Sequence, residues 1–186
     1  MNKEKFAKKV RKLLIEIKDQ IINFFPNRAE KAIKLLKWTR EKIIKNKIIY
    51  KSKKGQRKNE EYKRRRKRGE IYWTQFGQNI GSEFNGNHFS AVLYESLYTA
   101  IVVPLSSKKE NEGKWKNKED LIIDIGVIED LPRGEIECYA LVHQIRTVSK
   151  KRLDTFKDLE NDNYINLKLT NRQLDLIDEK IKSICK

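Results

Sequence analysis

The chain has 2 histidines, His88 and His143, and 2 cysteines, Cys138 and Cys185. An unperturbed imidazole titrates near ~6.5, so either histidine has the right chemistry for a general acid or base near neutral pH. A lone histidine is more often a satisfied structural residue, and residue type alone leaves both readings open. Two cysteines and two histidines lying far apart do not supply a tetrahedral metal site, and no cofactor is expected. The cysteines fit a reducing cytoplasm and give no disulfide framework. The other chemically loaded stretch is the run KRRRKR at residues 63–68. It reads either as a phosphate-attracting cluster or as a solvated junction.

The elements that position these residues differ sharply between the two parts of the chain. Of 186 residues, 38% are hydrophobic and 37% charged, with 7 Phe, 7 Tyr and 3 Trp. This is too aromatic for a fully disordered protein and enough for one modest core. No apolar run approaches the ~18 residues that span a bilayer, and the charged N-terminus does not read as a secretory signal. Residues 1–70 carry 26 basic and 8 acidic side chains, net +18, whereas residues 71–186 carry 16 and 18, net −2. A basic arm on a near-neutral domain points to an anionic partner, with nucleic acid ahead of a membrane surface, or to a solvated linker.

Within residues 4–25, Phe6, Val10, Leu13, Ile17, Ile21 and Phe24 recur at steps of three and four, which predicts an amphipathic helix. Pro26 interrupts it, and Asn27 with Glu30 forms a capping-box pattern for a second helix over residues 28–48, with Ala29, Ile33, Leu36 and Ile43/Ile44 on its stripe. The stripes are expected to pack on each other or on the main domain, with a membrane surface or a partner groove ranked below that. From Arg68 onward the texture changes. Segments 70–76, 90–96, 99–105, 121–128 and 136–145 are rich in Val, Ile, Tyr and Trp and are separated by turn residues, as expected of a small antiparallel barrel or bent sheet. Residues 107–120 read as a polar loop. Thr170 with Gln173 predicts a capping box opening a last helix with Leu174, Ile177, Ile181 and Ile184 on its apolar face.

Four stretches then carry a resemblance. Arg68-Gly69-Glu70-Ile71-Tyr72-Trp73 looks like the opening strand of the MazF/PemK/Kid family of toxin endoribonucleases. Gly81-Ser82-Glu83 followed by Gly86 resembles that family's GSEQGG loop. Ala100 to Ser106 (AIVVPLS) resembles its strand ending in Ser or Thr, and Gln144-Ile145-Arg146-Thr147 running into Lys150-Lys151-Arg152-Leu153 resembles its QIRT…KxRL segment. The resemblance implies an α+β, mainly β fold: a small SH3-like (CcdB/PemK-type) antiparallel barrel with a C-terminal helix, preceded here by a helical hairpin. The expected organisation is a basic amphipathic helical extension over 1–50, a basic linker over 51–66 and the barrel domain over 67–186.

The resemblance also implies a function: a cytoplasmic, homodimeric toxin of a toxin–antitoxin pair that cuts single-stranded RNA at short sequences without a metal and is neutralised by an antitoxin protein. No membrane partner is implied. His88 stands where the family has an arginine, and Phe89 replaces the following proline; His143 occupies the position before QIRT that is often acidic. Two histidines at matched positions favour a paired acid–base site over two unrelated structural residues. Ser106 matches the hydroxyl residue implied to bind the scissile phosphate. Phe84, Asn85 and Asn87 lie on the loop implied to approach RNA, where an aromatic stacks on a base and amides read base edges. Turn chemistry is an equally good account of the asparagines. Arg146 and Arg68 are further candidates for RNA contact, with Arg146 weighted toward a structural or dimer-interface role. The alternatives are a non-catalytic RNA- or antitoxin-binding relative with the same barrel, and a gyrase-directed toxin. The ending KSICK lacks the Trp-Gly-Arg-Ile terminus of the latter.

Overall fold

A computed structural model describes residues 2–24, 28–52, 65–108, 120–129, 131, 134–157 and 164–185. The chain divides into two units, Met1–Lys53 and Lys54–Lys186. Asn27, most of the linker over 51–66 and the polar loop over 107–120 fall largely outside the described residues.

In the first unit, the three-and-four spacing forms α1 (Lys3–Phe24), and α2 covers Ala29–Ser52. The Asn2 side chain caps α1, accepting the Glu4 amide at 3.1 Å. The expected burial of the stripes is not what the structure has. Phe6, Val10, Leu13 and Ile17 are exposed, as are Ile33, Leu36, Ile43 and Ile44, while α2 buries Ala32 and Trp38 instead. Among the described residues no helix is long and apolar enough to cross a membrane.

The second unit is a mixed structure of antiparallel sheet and helix. Its strands are β1 (Ile71–Gly77), β2 (Gly86–Glu95), β3 (Thr99–Ser107), β4 (Ile122–Ile128), β5 (Ile136–Leu141), β6 (Arg146–Ser149), β7 (Leu153–Asp154), β8 (Phe156–Lys157) and β9 (Tyr164–Ile165). Seven of them form one sheet in the order β4-β5-β3-β2-β1-β7, with β6 also on β3, and β8 pairs with β9. Alternation sorts the side chains onto two faces. Ile71, Ala91, Leu93, Val103 and Leu105 belong to the larger core, which also holds Leu174 and Ile177. Tyr72, Phe76, Val92, Ala100 and Val102 belong to a second cluster with Val148 and Leu153.

The reading of 136–145 as one strand fails at an informative place. Leu105 pairs with Ala140 and Val102 with Arg146, so a three-residue step along β3 faces a six-residue step opposite. The three surplus residues form the 3₁₀ turn Val142–Gln144. This turn splits β5 from β6, buries Val142 and leaves His143 exposed.

The last helix, α3 (Asn171–Ile184), starts as its sequence predicts. The Gln173 amide donates to Thr170 Oγ1 at 3.3 Å and the Thr170 amide to Gln173 Oε1 at 2.9 Å. The same Gln173 side chain donates from Nε2 to the carbonyls of Ile125 (3.0 Å) and Val127 (2.8 Å). These flank Gly126, whose φ of +73° accommodates a bulge in β4. One amide therefore starts the helix and ties it to the sheet. Gln173→Ala removes the reciprocal half of the capping box and strands the buried Ile125 carbonyl, and should cost about 2–3 kcal/mol in chemical denaturation; a loss below about 0.5 kcal/mol would refute this role.

The basic run also ends inside the fold. Arg66 is 2% exposed, and its guanidinium lies 5.1 Å from the Tyr72 ring centroid. So this arginine, at least, is neither a solvated junction nor an open phosphate site. Lys150, also buried, forms an ion pair with Glu95. Burial pushes the Glu95 carboxyl pKa up, but the Lys150 hydrogen bond, the Arg66 backbone amide and the nearby cations outweigh it and hold the group below the ordinary 4.5. A depressed carboxyl contributes stability that is present above its unfolded value and lost as pH falls through the folded one. The melting midpoint should therefore fall on acidification below about pH 4.5, and Glu95→Ala should cost about 3 kcal/mol at neutral pH and shrink that acid-dependent loss. Parallel acid profiles for the two proteins would show that Glu95 contributes nothing to it.

Candidate active site

The loop between β1 and β2 is held by its own polar side chains. Asn85 Oδ1 accepts the Asn79 amide at 2.5 Å, while Asn79 Nδ2 donates to the carbonyls of Phe84 (2.8 Å) and Phe76 (3.3 Å). Asn85 Nδ2 donates to the Glu83 carbonyl at 2.6 Å. The Phe84 amide then donates to Gln144 Oε1 at 3.1 Å, and that oxygen also accepts from Arg146 at 3.1 Å. The 3₁₀ turn is thus what brings the loop and the QIRT segment together. The Phe84 ring lands against Phe76, centroids 5.3 Å apart, and against His88, centroids 4.3 Å apart.

Two guanidiniums approach this aromatic stack. Arg146 lies 5.7 Å from the Phe76 ring centroid and 3.9 Å from a Glu83 carboxylate oxygen. Arg152 donates to the Phe76 carbonyl at 3.3 Å. Burial, and secondarily the Arg146 charge, pull the Arg152 pKa below its ordinary value. Two like charges that sense each other in a partly desolvated place are a costly arrangement, which the Glu83 carboxylate near Arg146 relieves in part and an added anion relieves further. Arginine forks match phosphate oxygens in geometry as well as in charge.

The sheet register adds Ser106 to the same face. Ser90 pairs with Pro104, and its hydroxyl shares a 2.5 Å hydrogen bond with Thr74 on β1. His88 lies two residues before Ser90 on β2, and Ser106 lies two residues after Pro104 on β3, so alternation gives both the face of Phe76 and Val102. Ser106 itself is half-buried and paired with Tyr139 of β5.

The residues singled out from sequence fall into three groups. His88, Phe84 and Arg146 come together, with Ser106 on their face. His143 stands exposed on the 3₁₀ turn, next to the Gln144 that reaches Phe84, and Asn87 is exposed on β2 opposite Gln75. Asn85 and Arg68 are engaged in internal bonds: Asn85 builds the loop, and Arg68 donates to the Leu93 carbonyl at 3.1 Å and to Asp178 of α3 at 2.5 Å. Sequence reasoning passed over Arg152, Gln144 and Glu83. All three lie within the quoted motifs, so the signal was present, but spacing does not say which polar atoms meet. Phe89, which stands where the family has proline, faces the larger core and packs edge-on against Trp73 at 5.0 Å. Among the described residues no group of three or more His, Cys, Asp or Glu is placed to hold a metal ion. Burial lifts the Cys138 thiol pKa to about 11, with the Asp124 charge adding to the shift, which makes this sulfur a poor nucleophile.

Residues 67–185 match the family model described as PemK-like, MazF-like toxin of type II toxin–antitoxin systems. The chain belongs to this family. The match begins at Lys67 and runs through β1, the 3₁₀ turn and α3, so every residue of the cluster above lies inside it. Among solved structures the chain is similar to MazF (Form-I) from Deinococcus radiodurans, at 14% identity and a TM-score of 0.41, covering 63% of this chain and 94% of that one. None of the curated proteins compared with the chain matches it. The first 66 residues lie outside the family match.

Proposed function

We propose that this protein is the toxin of a toxin–antitoxin pair, an endoribonuclease that cleaves single-stranded RNA sequence-selectively by attack of the scissile 2′-hydroxyl. The observation that carries the reading is the convergence of His88, Arg146 and Arg152 on the Phe76–Phe84 stack, inside the segment that matches the toxin family. The fold is read as that family's SH3-like barrel, the partners as messenger-like RNA, a cognate antitoxin and a second copy of the chain, and the location as the cytoplasm.

Such a reaction needs a base for the 2′-OH proton, an acid for the leaving 5′-oxygen, and donors for the charge on the phosphorane. His88 takes one proton-transfer role from β2, and His143 takes the other from the turn. Arg146, Arg152 and the Ser106 hydroxyl face the phosphate. Phe84 offers a ring for a splayed base, and Asn87 an exposed amide for a base edge. Every chemical group in this scheme belongs to the chain or to the RNA, so no metal is required.

The test is incubation of the pure protein with a long single-stranded RNA in EDTA, followed by mapping of the ends. The expected products carry a 2′,3′-cyclic phosphate, or its opened 3′-phosphate, and a 5′-hydroxyl. Activity lost in EDTA and restored by magnesium would overturn metal independence. RNA bound but left intact under every condition would identify a non-catalytic relative.

A further inference from the structure

The first unit carries a surface that the site does not use. On a wheel of roughly 100° per residue, Phe6, Val10, Leu13, Leu14 and Ile17 of α1 fall within an arc of roughly 120°. The structure leaves this arc open: Phe6 is 54%, Leu13 56% and Leu14 60% exposed. Lys9 borders the arc on one side with Glu16 beside it, Arg11 and Lys18 border it on the other, and Lys5, Lys8 and Lys12 share the far face with Ile15, Asp19 and Ile22. Across Lys3–Phe24 there are seven basic and three acidic side chains.

From this pattern we infer that α1 is a docking element for an anionic lipid surface, lying in the plane of the headgroups with its apolar arc among the acyl chains. Charge complementarity selects this occupant. RNA would satisfy the lysines but would leave aliphatic side chains in water, since phosphates and base edges offer them nothing. A second copy of α1 would cover the arc but would bring two helices, each with seven basic against three acidic side chains, against one another. An anionic bilayer serves both halves: the bordering cations extend their stems along the apolar face and keep their charges at the headgroups. The helix is far too charged to span, consistent with surface binding only. This docking does not depend on whether the barrel cuts RNA.

The full-length protein, treated with nuclease to remove carried RNA, should be sedimented with vesicles of phosphatidylcholine alone and of phosphatidylcholine with one-third phosphatidylglycerol. At least tenfold more protein should pellet with the anionic vesicles, with binding weakened but not abolished by raised salt. Leu13→Gln/Ile17→Gln should lose that binding at least tenfold and abolish the salt-resistant part, with helicity checked by circular dichroism and sedimentation coefficient unchanged. Lys9→Gln/Arg11→Gln/Lys18→Gln should lose the preference for anionic vesicles. Absence of wild-type binding, or equal binding by the Leu13/Ile17 variant, would overturn the inference. A Leu13/Ile17 variant that dissociates an oligomer would instead assign the arc to a second copy and also overturn it.

Discussion

His88→Ala should lower the RNA cleavage rate by ~10²–10⁴-fold while fold and RNA binding persist. The half-buried imidazole packs on Phe84 and shares a sheet face with Ser106, so its removal leaves the loop bonds of Asn79 and Asn85 untouched. His143→Ala should lose a comparable factor if the turn delivers the second proton-transfer group. Since one imidazole must be neutral and the other protonated, the rate should be bell-shaped in pH, and each substitution should remove one limb. Ser106→Ala should cost less than either, as expected for one phosphate donor. His88→Arg separates the alternatives: preserved activity without the acidic limb would make His88 a phosphate donor, with proton transfer elsewhere. If both alanine variants cleave at the wild-type rate, the two-histidine site is wrong. A loss confined to His88→Ala would leave the exposed His143 outside the chemistry and place the second role on a group beside Arg146 and Arg152.

The second large effect lies in the substrate. A single 2′-deoxy nucleotide at the cut site should abolish cleavage there, because it deletes the nucleophile and not merely a contact. Binding should change little, since the phosphate contacts proposed for Arg146 and Arg152 do not involve the 2′-hydroxyl. Cleavage of that substrate at an unchanged rate would mean that water attacks instead, and the acid–base scheme would have to be rebuilt around a bound water. Mapped 5′-hydroxyl ends on the all-ribose RNA, together with resistance of the deoxy-substituted one, would tie the two experiments to one mechanism.

Part of this site was legible from residue order alone. The motifs around Gly81, Ser106 and Gln144 located the segments that the structure draws onto one face, and they lie in the matched region. What each polar residue does there was not legible. Asn85 and Arg68 looked as available for RNA as Arg146, but Asn85 closes its own loop and Arg68 clamps α3 to the sheet. Nothing in the local spacing marks Arg152, yet it donates to the Phe76 carbonyl and its charge couples to that of Arg146. The difference lies in which partners compete for a side chain, and those partners come from distant segments: Arg68 and Asp178 meet only because the last helix returns to the first strand.

By itself, the sequence determined the features that depend on neighbours within a few residues. The Thr170–Gln173 capping box, the three-and-four spacing of α1, the β-rich runs from Ile71 onward and the skew of positive charge toward the N-terminus are all of this kind. Tertiary structure alone decided the rest. The 3₁₀ turn Val142–Gln144 exists because β5 and β6 pair with one strand in registers that differ by three residues, and it is this turn that exposes His143 and aims Gln144 at Phe84. Arg66 is buried because the Tyr72 ring lies beside it, and the α1 stripe is open because helical periodicity specifies a face but not its cover. Pattern within one element is fixed by backbone geometry, whereas register between elements and burial of a charge are settled by non-local contacts that no local spacing encodes.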